Sequence, residues 1–307
     1  MKSTTRRPRP GDSTPGFRLC LAAASAILVA CAPATTSPPP EPSALPEGWI
    51  ETVLEIRWVD YNPSQGYADD LHWPDEESMA EDFATLRSAG FTGIVTYGPP
   101  TTSALEAMES MGFEGVIVGV WDPTRAEELE LAEAAAASPI VLGYCIGNEG
   151  IMFDTYTVAD LEDAARRLDD TGLPYTTTET GEQYRTNPEL LAFGDWLFPN
   201  LHPFHSRVLD PDLAVEWTED LYDDLASRTD LFVMAKETGL PHGGVDGVSE
   251  RNQLDFYVGL AETDVPFAYF EGFDVEWKDW APHEPYWGVF RKDRSPTLLG
   301  EYLMGLE

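Results

Sequence analysis

The sequence predicts a single (β/α)8 TIM barrel, and two observations carry that prediction. Short apolar runs of strand length alternate eight times with segments of helical periodicity, and carboxylate, amide or aromatic side chains stand just past most of the runs. Such alternation, joined by right-handed crossovers, closes most naturally into a ring of parallel strands inside a ring of helices. An open doubly wound sheet is the alternative, but no Gly-rich phosphate loop follows the first run. The 307 residues, 43% hydrophobic with 9 Trp, 12 Tyr and 14 Phe, supply one core of the size a barrel needs.

Taken in order, the chain opens with Lys2, Arg6, Arg7, Arg9 and Arg18, followed by an uncharged apolar run over residues 19–30. That pattern is a secretory signal, too short to span a bilayer. It ends in LVAC, which resembles the lipobox of bacterial lipoproteins with Cys31 as the lipidated residue. The twin arginine is followed by Pro8 and Arg9 rather than by an apolar pair, so it points only weakly to the folded-protein export route. Residues 1–30 are therefore read as a lipoprotein-type signal peptide, 31–48 as a Pro-rich extended tether and 49–307 as the barrel domain. The expected location is the cell envelope, on a lipid anchor that faces the periplasm or the exterior.

Candidate strands lie at 53–59, 92–97, 115–121, 140–147, 175–178, 195–201, 231–236 and 266–270. Between them Met79, Phe83 and Leu86, Leu105 and Met108, Leu161, Ala165 and Leu168, and Trp217, Leu221 and Leu225 fall at spacings that put apolar groups on one helical face. Gly90, Gly112 and Gly172 stand where left-handed helix ends are expected.

Composition excludes several classes. A formal net charge of -35 rules against nucleic-acid binding, which needs basic patches to neutralise phosphate, and suits a solvated surface. Two of the three cysteines lie in the leader, so there is no disulfide framework, and Cys145 reads as a small buried hydrophobe. No HExxH helix, P-loop or GxSxG elbow occurs. His202 and His205 have loose metal-ligand spacing but no third ligand, so neither metal nor cofactor is expected.

Two runs are distinctive. PIVLGYCIGNEG (139–150) and LFVMAKETG (231–239) each end on a glutamate, Glu149 and Glu237, as a glycosidase requires. Other strand ends add Asp60, Tyr97, Trp121, Asp122, Asn148, Glu179, Asn200, His202 and Glu271, and position alone leaves Glu179 and Glu271 as rival carboxylates. Phe270, Phe273, Trp277, Trp280, Tyr286, Trp287 and Phe290 crowd the C-terminal quarter beside Lys278 and Glu284, and read as a rim on which sugar rings stack.

With those residues in view, the body resembles glycoside hydrolase family 17, the β-1,3-glucanases, in a compact bacterial form. GNE (147–149) and KETGLP (236–241) are similar to the family's acid/base strand end and to its nucleophile motif ETGWP. VGVWD (118–122), NLHPF (200–204), FDVEWK (273–278) and EPYWGVF (284–290) follow the family's order. Leu240 stands where the motif has Trp, and Val275 where FDExWK has its Glu, the acidic residue falling at Glu276 instead, so a supporting carboxylate is displaced or lost.

The resemblance implies a retaining hydrolase acting on laminarin-type β-1,3-glucan. Glu149 is then acid/base and Glu237 nucleophile, about 5 to 5.5 Å apart. Asn148 would hold the sugar 2-hydroxyl, Tyr97, Asn200, Trp277 and Trp287 would contact the glucan, and Lys278 and Glu284 would contact it or steady the nucleophile. Transfer of the glycosyl group to a second glucan uses the same residues; a non-catalytic glucan-binding lipoprotein would need neither glutamate.

Overall fold

The computed structural model describes residues 45–65 and 73–306. The signal segment, Cys31 and the tether up to residue 44 lie outside the described residues.

The first element differs from expectation. Residues 49–55 form a helix, α1 (Trp49–Glu55), and the first strand is β1 (Trp58–Tyr61). Trp49, Val53 and Ile56 are spaced four and three apart, a helical stripe rather than a strand pattern. The three are buried inside the barrel with Trp58 and Trp196. The Trp49 indole N–H donates to the Leu142 carbonyl at 2.8 Å, and that of Trp58 to the Val53 carbonyl at 2.9 Å, so the helix plugs the end at which the strands begin.

The chain then alternates through α2 (Glu76–Ser88), β2 (Gly93–Thr96), α3 (Thr102–Ser110), β3 (Gly115–Val120), α4 (Ala126–Ala135), β4 (Val141–Asn148), α5 (Val158–Leu168), β5 (Tyr175–Thr178), α6 (Gly181–Thr186) and β6 (Trp196–Leu197). It continues through α7 (Pro211–Ala226), β7 (Phe232–Val233), β8 (Ala235–Thr238), α8 (Glu250–Ala261), β9 (Phe267–Tyr269) and α9 (Leu298–Leu303). The expected stripes of α2, α3 and α5 are buried, and Gly90, Gly112 and Gly172 take φ of 80°, 83° and 69° past their helices. Helix starts are set by side-chain caps such as Asp75 on Ser78 and the Thr157–Asp160 capping box.

Seven strands pair in parallel in the order β5-β4-β3-β2-β1-β9-β8, with β6 and β7 as a separate parallel pair. Bridges from Thr180 to Asn200 and from Asn200 to Glu237 carry the ladder across the gap. Asn200 N–H donates to the Glu179 carbonyl at 2.9 Å, and Leu201 N–H to the Glu237 carbonyl at 2.7 Å, closing the (β/α)8 barrel. β7 and β8 are two segments of one strand position broken at Met234. β6 is shorter than expected because Pro199 has no N–H to give the ladder. One core fills the barrel, from Trp58, Val95, Ile117 and Cys145 to Phe198 and Met234; the other packs strands against helices. Phe273 and Phe290, expected on the rim, are fully buried in this outer layer.

Candidate active site

Backbone geometry explains how β4 presents its carboxylate. Gly147 has φ of 82°, and a Cβ there would lie 2.3 Å from the Tyr156 hydroxyl, so only glycine permits the bend. Glu149 follows with φ of 55° while its N–H donates to the Thr178 carbonyl at 3.0 Å. The side chain is thereby aimed into a cavity of about 840 Å³ at the C-terminal ends of the strands.

Tyr97, Asn148, Glu149, Asn200 and Glu237 line that cavity from the strand ends. Trp277, Lys278, Glu284 and Trp287 line it from the long segment after β9, so each residue given a catalytic or glucan-contacting role by the resemblance reaches it, whereas Asp60, Asp122 and Tyr286 do not line it. Some of them hold the glutamates directly. Asn200 donates its amide N–H to Glu149 Oε1 at 2.8 Å and accepts from the Thr178 hydroxyl at 2.8 Å. The Tyr97 hydroxyl donates to Glu237 Oε1 at 3.0 Å. His202 Nε2 lies 3.0 Å from Glu237 Oε2, with its ring edge-on to Phe270 and Trp287.

The rival carboxylates have other partners, and neither lines the cavity. Glu179 is fully buried and accepts from the Ile151 and Met152 N–H groups at 2.8 and 3.3 Å, holding the loop that carries Glu149. Burial pushes its carboxyl up to about 7. Glu271, also fully buried, accepts from Lys278 Nζ at 2.7 Å and from the Asn62 amide at 2.6 Å. It is thus the carboxylate that supports Lys278 where Val275 has none to offer, whereas Glu276 is exposed and bonds Lys292.

Lys236 was not singled out from the sequence. It precedes Glu237, and neighbours on a regular strand face opposite sides. The register between β8 and β9 shifts between Ala235 and Thr238, and both side chains turn inward. Lys236 is 1% exposed and donates to Glu237 Oε1 at 2.6 Å and to Asn148 Oδ1 at 3.0 Å, while its ammonium sits 4.1 Å from the Tyr97 ring centroid.

This surrounding drives the two glutamates apart. Burial, and then the charge of Glu237, raise the Glu149 carboxyl above its ordinary range, with Asn200 opposing. Burial alone would raise Glu237 as well, but the Lys236 ammonium and the His202 hydrogen bond outweigh it and hold that carboxyl well below the usual range. The two carboxyls are thus shifted in opposite directions, Glu149 towards holding a proton and Glu237 towards staying ionised.

The cavity walls are aromatic. Trp277 and Trp280 stand 5.7 Å apart on one side, Trp280 being 64% exposed, and Tyr97 and Trp121 6.2 Å apart on another. Trp287 differs from a rim residue: it is 1% exposed and packs against Phe204, His205 and Phe270 as the cavity floor. Trp217 of α7, expected in the helical core stripe, is only partly buried and reaches the cavity.

Residues 59–288 match the family described as the BtgE/BtgC glycoside hydrolase domain. An Aspergillus niger protein carrying the provisional name glucan endo-1,3-beta-glucosidase btgC is 24% identical over 293 residues, covering 77% of this chain. The chain spans only 42% of that relative's length. Among solved structures, a Rhizomucor miehei β-1,3-glucanosyltransferase mutant in complex with laminaritriose superposes with a TM-score of 0.66 at 19% identity, over 81% of this chain and 96% of that one. An endo-laminarinase from Formosa gives 0.63 at 18% identity, over 78% and 84%. CJP38, a β-1,3-glucanase and allergen of Cryptomeria japonica pollen, gives 0.61 at 15% identity, over 79% and 97%. At these identities the structural likeness establishes the barrel fold.

Proposed function

We propose, from the premise that this chain belongs to the BtgE/BtgC glycoside hydrolase family, that it is a retaining hydrolase of β-1,3-glucan. The observation that carries the reading is the Glu149 and Glu237 pair, brought together at the ends of β4 and β8 within one aromatic cavity, with their carboxyls shifted in opposite directions. Glu237 attacks the anomeric carbon while Glu149 protonates the leaving oxygen. Water, activated by the Glu149 carboxylate, then resolves the ester. Incubation with laminarin and separation of the products tests this. New reducing ends in step with shortened chains support hydrolysis, chains longer than the starting glucan mean transfer, and no change of chain length removes the reading.

The same opposed shifts set the pH profile. Glu237 must be ionised and its carboxyl is depressed, so kcat/KM keeps its value as pH falls below the ordinary glutamate range of about 4.3. Glu149 must be protonated and its carboxyl is raised, so the alkaline limb falls above that range rather than within it. A profile already half-lost on the alkaline side near pH 4.3 contradicts the assignment.

Exposure separates the two roles of tryptophan. Trp280→Ala should change stability by no more than about 0.5 kcal/mol, as at other open surface positions. It should raise KM for long glucans roughly two- to tenfold, the worth of one aromatic contact. Trp287→Ala empties a buried site and should cost about 3–5 kcal/mol. Thermal melts beside KM values check both; a Trp280→Ala enzyme with unchanged KM leaves that ring outside the binding path.

A further inference from the structure

We propose that Asp60 and Glu237 hold the Lys236 ammonium in alternation: Glu237 pairs with it in the free enzyme, and Asp60 takes it over while Glu237 is esterified by the glycosyl group. The inference rests on the reading of Glu237 as nucleophile.

Asp60 lies on β1, fully buried, and neither of its carboxylate oxygens has a hydrogen-bond partner among the described residues. Its Oδ1 is 3.9 Å from Lys236 Nζ, whereas Glu237 Oε1 is 2.6 Å from the same ammonium. Two buried carboxylates thus face one buried cation, and only one is within hydrogen-bond reach. A buried carboxylate without a bonded partner is strongly unfavourable in its charged form. Burial accordingly pushes the Asp60 carboxyl well above the usual range; Lys236 opposes the shift, and the charges of Glu237 and Glu271 add to it. In the free enzyme Asp60 therefore carries its proton. The remaining polar and titratable neighbours of the pair are already engaged or lie beside it: His202 and Tyr97 on Glu237, Lys278 on Glu271, Asn200 on Glu149, and the buried Cys145 thiol.

Glycosylation changes the balance. A Glu237 oxygen forms the bond to the anomeric carbon, the bond to the leaving oxygen breaks, and that oxygen takes the Glu149 proton. Glu237 is now an uncharged ester, and Lys236, 1% exposed, has lost its anion. An uncompensated buried ammonium is strongly disfavoured. Asp60 releases its proton to solvent and becomes the counter-ion. When Glu149 deprotonates the incoming water and the ester opens, Glu237 regains its charge and Asp60 takes a proton back. Asp60 acts through Lys236 and is a positioning residue for the intermediate.

Asp60→Asn keeps the shape of the neutral acid, so the free enzyme is preserved while the intermediate loses its counter-ion. With an aryl β-laminaribioside, kcat/KM should fall roughly tenfold, because the transition state already gives up part of the Glu237 charge. The stalled 2-deoxy-2-fluoro glycosyl-enzyme should hydrolyse faster than that of the parent, which a merely structural residue would not cause. A second measurement leaves Asp60 in place. In Glu149→Gln, which has no acid/base proton to lose, adduct formation from a dinitrophenyl 2-deoxy-2-fluoro-β-laminaribioside should release about one proton to an indicator dye. The Glu149→Gln/Asp60→Asn double variant should release none. An adduct lifetime in Asp60→Asn equal to or longer than the parent's, or no proton release in Glu149→Gln, overturns the proposal. If the parent forms no adduct on Glu237 by peptide mass spectrometry, the nucleophile reading itself falls; an adduct without these signatures removes only the role of Asp60.

Discussion

With Glu237 as the proposed nucleophile, Glu237→Ala should lower the proposed hydrolysis of β-1,3-glucan by roughly five orders of magnitude, the scale on which loss of a covalent nucleophile acts. Lys236, His202 and Tyr97 all direct bonds at this carboxylate and at none of its neighbours in common, so no other group in the cavity is held ready to replace it. The missing carboxylate leaves space on the face that attacks the anomeric carbon. Azide admitted there should restore turnover of an activated β-glucosyl donor and deliver the α-glucosyl azide, the inverted product, since a single displacement has replaced two. Rescue with retention would mean that a covalent intermediate still forms elsewhere, and Glu237 would lose its assignment.

The barrel was legible because its signals are local. Apolar runs, helical stripes and glycine caps each act over a few residues, and in a parallel barrel strand-end chemistry converges whatever the loops do. What sequence order could not separate was charge from charge. Glu149, Glu179, Glu237 and Glu271 all stand at strand ends, yet Glu179 is spent on two loop amides and Glu271 on Lys278 and Asn62. Those partners come from other strands and long loops, and no local spacing announces them. Lys236 was hidden by the strand irregularity that turns it inward. The first strand was placed too early because Val53 and Ile56 are as apolar as a strand demands; only Trp49, one turn earlier, marks the stripe as helical. Phe273 and Phe290 were counted with the rim because aromatic clusters look alike in sequence, whether they stack on sugar or on Tyr61 and each other.

Glu149→Ala should behave differently from Glu237→Ala, and the contrast separates the two roles. On the proposed assignment the group lost is the proton donor, and its carboxyl is raised by burial and by the nearby charge of Glu237. Substrates with poor leaving groups, natural glucan among them, should slow by about 10²- to 10⁴-fold, the usual worth of general acid catalysis. A dinitrophenyl donor needs little protonation, so its glycosylation step should stay near the parental rate and the ester on Glu237 should accumulate, because no base activates water. Azide requires no base. It should attack that ester and yield the β-glucosyl azide, with configuration retained after two displacements. Asn200 loses its partner Oε1 in this variant but keeps its bond with the Thr178 hydroxyl and its backbone bridge to Glu237, so the nucleophile should keep its place. If Glu149→Ala slowed activated and natural substrates alike, or if Glu179→Ala gave the azide product of retained configuration while Glu149→Ala did not, the acid/base would have to be sought in the carboxylate that holds the loop after β4.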